Sequence, residues 1–482
     1  MMHDSEEMAA SLTRRGKQVA LLNHDRLFPA EEKTRAIARR LYDGIRGLPI
    51  VSPHGHTQAG WFARNEPFPD PVKLFVQPDH YVFRMLYSQG ISLDELEIGR
   101  ARIENPRRVW RIFASNYHLF RGTPTRLWLD YAFQELFGLT ERLSEATADL
   151  YYNAIETKLA TPEFLPRALY ERFNIEVLAT TDSAIDGLAD HVAIRESGWK
   201  GRIIPTFRPD AVVDPQFPGF LDNLRKLEAV TGENTTTWRG YLRALEKRRE
   251  FFRSMGATAT DHGHPTALTM DLSETSAANL FEQVVQGNAY AADLEIFRGQ
   301  MLTEMARMSL DDGLVMQIHP GSVRNHNAEI LAKYGRDMGA DIPQATNYVE
   351  ALRPLLNRFG NEPDLTIILF TLDETTYSRE LAPLAGHYPC LRVGPPGWFH
   401  DSPEGMRRFR EQATETAGFY NTVGFNDDTR AFLSIPARHD VARRIDAGFL
   451  AQLVAEHRVD EDEAVELAEE LTVGLVRKAY RL

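Results

Sequence analysis

Two histidines two residues apart, His54 and His56, directly follow the apolar run Leu48–Val51 in Pro-Ile-Val-Ser-Pro-His-Gly-His. Side chains alternate faces along a strand, so residues two apart point the same way. Both imidazoles can therefore converge on one point, and imidazole suits zinc and similar divalent metals. Alone, the pair reads equally well as two polar residues in a turn; its company elsewhere decides. His319, in Val-Met-Gln-Ile-His-Pro-Gly, and Asp428, in Gly-Phe-Asn-Asp-Asp-Thr-Arg, end two other β-rich runs. Three histidines and one carboxylate make a ligand set for a catalytic divalent metal, with a position left for water or substrate. Asp428 can instead act as a base beside the metal. Asp261-His262-Gly263-His264 offers a further contributor, although the structural reading is favoured for His262 and His264.

The elements that must position these groups are short β-rich runs, eight in number: 48–56, 175–182, 202–208, 257–263, 314–321, 365–373, 391–398 and 422–428. Stretches with helical spacing, such as 281–308 and 347–359, separate them. Strands alternating with helices predict an α/β fold with a parallel sheet. Eight such units predict a closed (β/α)8 barrel of the TIM type, with an open doubly wound sheet as the alternative. Residues able to do chemistry cluster where the runs end: His54, His56, Asp182, Arg208, Asp261, His262, His319, Asp373 and Asp428. In a barrel enzyme that end of the strands is the active face.

About 120 residues separate the first run from the second, far more than one crossover helix needs. The excess reads as helical. Thr123-Pro124 supplies an N-cap and a proline at the first helical position, Gly138 a stop, and Ser144 and Thr161-Pro162 two further starts. Trp110, Phe113, Trp128, Tyr131, Phe133 and Phe137 are expected to be the core of this part. The expected organisation is an N-terminal helical segment with the first strand (1–84), an α-helical insertion (85–168), and the remainder of the barrel with C-terminal helices (169–482). Residues 438–482 read as helix throughout, with Asp460-Glu461-Asp462-Glu463 as a solvated helix start.

Composition excludes several classes. The chain has 482 residues, 43% hydrophobic and 26% charged, with a net charge of −13. No basic cluster suits nucleic acid or an anionic membrane, and an anionic substrate would need locally placed arginines. Cys390 is the only cysteine, so no intrachain disulfide and no Cys-rich zinc module can form. The first residues are acidic where a signal peptide is basic and then apolar. No apolar run approaches the ~20 residues that span a bilayer. A cytoplasmic homo-oligomer acting on a small molecule is expected. No Gly-rich phosphate loop supports a kinase or a dehydrogenase.

Longer segments carry a resemblance. They are Asp79-His80-Tyr81 with Arg84, Pro205-Thr-Phe-Arg-Pro-Asp210, Thr260-Asp-His-Gly263, Gln317-Ile-His319 with Arg324-Asn325, Gly397-Trp398-Phe399, and Asp427-Asp-Thr-Arg-Ala-Phe-Leu-Ser434 continuing to Arg438-His439. In these the chain resembles the uronate (glucuronate) isomerases of the amidohydrolase superfamily, over nearly its whole length. Within that superfamily the His-x-His pair is common, whereas Asp-Asp-Thr-Arg-Ala-Phe-Leu-Ser is far more specific. The common superfamily lysine or glutamate on strand four and histidine on strand six are replaced here by Asp261 and Asp373, which argues for one metal rather than two. The first strand reads Ser-Pro-His-Gly-His where the family often has Asp-Tyr-His-Cys-His; both ligand positions survive.

The resemblance implies reversible isomerisation of D-glucuronate to D-fructuronate and of D-galacturonate to D-tagaturonate, with one divalent ion, zinc foremost. An aldose–ketose conversion through an enediolate needs a base, an acid and a stabiliser for the developing oxyanion. Asp428, or a metal-bound hydroxide, is the candidate for proton removal; Tyr81, with His80 beside it, is the candidate for proton delivery or oxyanion stabilisation. Asp261 is expected to orient a hydroxyl or a neighbouring catalytic group. Arg208, Arg324 and Arg430 are candidates to grip the uronate carboxylate through paired hydrogen bonds. Trp398 either walls the site or belongs to the core. The rival readings are a metal-dependent hydrolase of an amide or lactone, and a non-catalytic sugar-acid binder.

Overall fold

A computed structural model of the chain describes residues 20–99 and 103–482. The acidic first residues, and the part of the expected N-terminal helical segment before residue 20, lie outside the described part. Eleven strands are present among the described residues: β1 (Ile50–Ser52), β2 (Ile175–Ala179), β3 (Asp182–Ser183), β4 (Ile203–Ile204), β5 (Phe207–Arg208), β6 (Ala259–His262), β7 (Val315–Ile318), β8 (Ser322–Val323), β9 (Ile342–Pro343), β10 (Ile367–Leu369) and β11 (Leu391–Val393). Two parallel sheets hold most of them, in the orders β1-β2-β4 and β11-β10-β7-β6-β5-β3. Backbone bonds bridge the two: Thr180 N–H donates to Ile204 O at 2.9 Å, Thr206 N–H to Thr180 O at 3.0 Å, and Asp182 N–H to Thr206 O at 3.0 Å. The fold is therefore α/β with parallel sheets.

All eight β-rich runs lie in this ladder, but the regular strands are shorter than the apolar runs. The run 202–208 breaks at Pro205-Thr206 into two strands, and the run 422–428 contributes only a parallel bridge from Thr422 to Val393. The reason is local. Polar residues at the C-terminal ends carry backbone that leaves the ladder to aim side chains, a use irregular structure serves better than a strand.

Alternation along the strands sorts side chains into two cores. Val51, Val177, Ala179, Ile204, Ala259, Val315, Ile368, Phe370 and Val423 pack together on one face, joined by Val473, Val476, Ala479 and Tyr480. The opposite face, with Met316, Ile318, Ile367, Leu369 and Val393, packs on helices that include Trp238–Ser254 and Ala291–Asp312. Fully burying such a side chain contributes roughly 1.5–3 kcal/mol, which pins the register. Tyr480 brings a polar tip into the first core: its hydroxyl donates to Gln317 Oε1 at 2.9 Å and accepts from Asn426 Nδ2.

The chain divides into two compact units, the smaller containing residues 69–161 and the described residues before Leu27, the larger 27–68 and 162–482. Between β1 and β2 every element among the described residues is helical. The helix Pro71–Phe75 groups with the smaller unit because Phe75 packs on Trp110, Phe133 and Phe137. Trp110, Phe113, Trp128, Phe133 and Phe137 are buried there, and Tyr131 is half-buried. Thr123 caps Pro124–Tyr131 by accepting from Arg126 N–H, and Gly138 takes a φ of +71° just beyond. In the larger unit, residues 438–482 are not helical throughout: Ile435–Ala455 and Glu461–Glu469 are separated by a turn containing His457 at φ +58°. Asp460 opens the second helix, its N–H donating to Glu463 Oε2 at 3.0 Å.

Candidate active site

His54, His56, Asp261, His319 and Asp428 come together at the C-terminal ends of the strands. His54 Nε2 and His56 Nε2 each lie 3.2 Å from Asp428 Oδ1. His319 Nδ1 lies 2.7 Å from Asp261 Oδ1, and its ring stacks on that of His54 with centroids 4.7 Å apart. Phe370 backs the other side of His319, centroids 4.0 Å apart. Two overlapping sets of potential metal ligands result, His54–His56–Asp428 and His54–Asp261–His319, with His54 common to both.

The residues fit a divalent cation. Asp428 Oδ1, both Asp261 oxygens, His54 Nδ1 and His319 Nδ1 are buried and make no aligned hydrogen bond among the described residues, although Asp428 Oδ1, the Asp261 oxygens and His319 Nδ1 have charged partners at ion-pair distance. Burial opposes ionisation of Asp428, yet His54 and His56 beside it hold its carboxyl well below the usual range. Asp261 behaves likewise: burial opposes its charge, and Arg208 and His319 outweigh burial. Burial also opposes a proton on His54, but Asp428 and Asp261 raise its pKa. The negative field that draws a proton to His54 would draw a metal ion equally. Burial dominates at His56 and His319 and lowers both pKa values, which suits neutral imidazole ligands.

Arg208 is more tightly held than a residue free to meet substrate alone. Its Nε donates to Asp210 Oδ2 at 2.8 Å and its Nη1 lies 3.0 Å from Asp261 Oδ2. Asp210 also accepts from Gly263 N–H at 3.2 Å. Gly263 is required by close approach: a Cβ there would lie 2.2 Å from Arg208 Nη2. Because two carboxylates pin this guanidinium, it cannot swing aside freely. Gly263→Ala is expected to shift it off Asp261 and lower kcat/KM by about 10- to 100-fold, read in steady-state kinetics with circular dichroism to confirm the fold.

The other expected residues divide. Arg430 is half-buried, acts electrostatically on His56, and forms no ion pair among the described residues. Arg324 pairs with Asp341 at 3.1 Å and lies over the Trp398 ring at 5.6 Å, beside the antiparallel pair β8–β9. Trp398 follows Gly397, where a Cβ would be 3.9 Å from Asp428 Oδ2, so this loop adjoins the carboxylate. His80 and Tyr81 open the helix His80–Ser88 of the smaller unit, capped by Asp79 accepting from Tyr81 N–H at 2.8 Å. His262 alternates to the face opposite Asp261, where its Nε2 contacts Thr260 Oγ1 at 3.0 Å, and burial lowers its pKa to about 3. His264 is buried beyond the strand with Asp210 and Asp214 in its field. Asp182 accepts from Thr180 Oγ1 at 2.6 Å and Asp373 from Thr375 N–H at 3.1 Å, so both turn back into their own loops. Asp210 has no role in the sequence reading, although its two-residue spacing from Arg208 is the available signal.

The family profile described as glucuronate isomerase matches residues 28–477. A uronate isomerase of Rhizorhabdus wittichii is 64% identical over 461 residues, covering 96% of this chain and 98% of that protein. The crystal structure of glucuronate isomerase from Caulobacter crescentus superposes with a TM-score of 0.94 at 58% identity, over 96% of this chain and 98% of that one. That of uronate isomerase from Thermotoga maritima gives 0.89 at 28% identity, over 95% and 99%.

Proposed function

The chain belongs to the glucuronate isomerase family, and on that footing we propose that it interconverts D-glucuronate with D-fructuronate and D-galacturonate with D-tagaturonate. The observation that carries the reading is the convergence of His54 and His56 on one oxygen of Asp428, with Arg430 beside His56. We read the fold as a (β/α)8 barrel with an α-helical insertion at 85–168. The bridge from Thr422 to Val393 and the bond from His56 N–H to Thr429 O, 2.9 Å, support closure between the last run and the first. No helix among the described residues is long and apolar enough to cross a membrane, and the proposed setting is the cytoplasm.

His54, His56 and Asp428, with His319, would hold one divalent ion, zinc by preference for nitrogen ligands. Bound there, such an ion supplies positive charge for an anionic substrate oxygen. The chain's own groups do the rest. Asp428 Oδ1 faces both imidazoles, which leaves Oδ2 to take the proton from C2 of the aldose. The proton returns at C1, and the hydroxyl proton passes from O2 to O1; Tyr81, with His80, is proposed for proton delivery or oxyanion stabilisation. Asp261, held by Arg208 and His319, orients the imidazole and the substrate hydroxyls.

Arg430 is proposed to take the uronate carboxylate, with Arg324 and Trp398 lining the adjoining wall and Arg208 contributing charge from its fixed place. A charge-assisted bond contributes about 1.5–3 kcal/mol, so Arg430→Ala is expected to lower kcat/KM on D-glucuronate by roughly 10- to 150-fold. Full activity in that variant would make Arg430 an ordinary surface charge. The reading itself is tested by NMR of D-glucuronate incubated with the protein in deuterium oxide. The expected result is a ketose carrying deuterium at C1, or recovered aldose labelled at C2. No ketose from metal-replete protein would remove the proposal, and release of acid or amine from an amide or lactone would favour the hydrolase instead.

A further inference from the structure

We infer that His439 and Arg438 are positioning residues that hold Asp428 in the backbone conformation its ligand role requires. The inference rests on reading Asp428 as a metal ligand. Asp428 has a φ of +44°, a left-handed conformation uncommon for any residue with a Cβ, which the surroundings must hold in place. The surroundings here do so from both sides. On the N-terminal side, His439 Nε2 donates to Asp427 Oδ2 at 3.1 Å, and Arg438 Nη1 donates to the Asp427 carbonyl oxygen at 3.2 Å. On the C-terminal side, the next carbonyl, Thr429 O, accepts from His56 N–H at 2.9 Å.

The two holding residues are themselves anchored. Arg438 Nη1 donates to Asp401 Oδ2 at 2.6 Å and its Nε to Ser434 Oγ at 3.3 Å. The His439 ring packs edge-on against Phe425, centroids 5.1 Å apart. His439, Asp427, Arg438 and Asp401 are each at most 4% exposed. Buried charges are costly unless paired, so a network of this depth is a specific arrangement. Both residues lie on the helix Ile435–Ala455, whose length makes it a rigid mount for a strained residue. A carboxylate only accepts, which requires the proton on His439 Nε2 and fixes the ring's tautomer.

The test is the affinity of purified full-length protein for zinc, measured by competition with a chromophoric chelator, beside thermal unfolding. His439→Met removes the donor at similar volume, and His439→Gln restores an N–H at about the same reach. The Met variant is expected to bind zinc about 10- to 100-fold more weakly, as for other groups that orient metal ligands, and the Gln variant to recover most of that loss. Arg438→Lys keeps a charge for Asp401 but cannot hold the Asp427 carbonyl as well, and is expected to weaken zinc binding too. A merely structural role would lower Tm in these variants while leaving zinc affinity unchanged well below the melting range. Zinc bound by His439→Met or Arg438→Lys as tightly as by wild type would overturn this inference alone. A wild-type protein that took up no zinc would remove the ligand reading and this inference together.

Discussion

Replacing His54 and His56 together by alanine is expected to drop bound divalent metal from about one equivalent per chain to background, and turnover of D-glucuronate with it. The two imidazoles supply the only nitrogen contacts to Asp428 Oδ1 among the described ion pairs. Their removal also takes away the groups that hold the Asp428 carboxyl low, so burial then favours its neutral form. Loss of ligands and loss of ligand charge act in the same direction. The backbone has little reason to move: Thr181 Oγ1 donates to Gly55 O at 2.9 Å and His56 N–H to Thr429 O at 2.9 Å, and neither bond uses an imidazole. Elemental analysis of the double variant after purification in trace metal decides the matter. Undiminished metal would place the ion elsewhere.

Asp428→Asn is the second large effect. Asparagine has the same shape and tolerates the left-handed region, so the φ of +44° need not change. The substitution removes only the charge and the ability to take a proton. A positioned general base is worth about 10²–10⁴ in rate, and weakening the metal adds to that, so kcat is expected to fall at least about 10³-fold. Single-turnover measurements at saturating substrate and added zinc separate the two contributions. A rate within a few-fold of wild type under those conditions would leave Asp428 a ligand at most and move the base to another group.

The candidate site was legible where residue type and strand alternation suffice. His54, His56, Asp261, His319 and Asp428 all lie at or near the ends of β-rich runs and all meet. Alternation also separates Asp261 from His262, which occupy opposite faces of β6. Less was legible where the decisive contacts are distant in sequence. Arg208 was expected to face substrate, and the structure shows it already held by Asp210 and Asp261. Tyr480 reaches Gln317 across 163 residues, and no local pattern announces it. The pairing of Asp427 with His439 spans only 12 residues, but a His–Asp contact across a loop and a helix start has no fixed spacing to search for. Strand ends are hard to place from sequence for a related reason. Hydrophobic runs mark what is buried, whereas hydrogen-bond geometry decides what is strand, and at 422–428 burial continues after the ladder has stopped.

One ion at the His54–His56–Asp428 cluster is proposed to serve isomerisation of a uronate. The most direct test is D-glucuronate turnover by protein stripped with a chelator and then titrated with zinc. Negligible activity after stripping, a linear recovery, and a break at about one equivalent per chain are expected. Full turnover by protein carrying less than about a tenth of an equivalent of any divalent metal would contradict it.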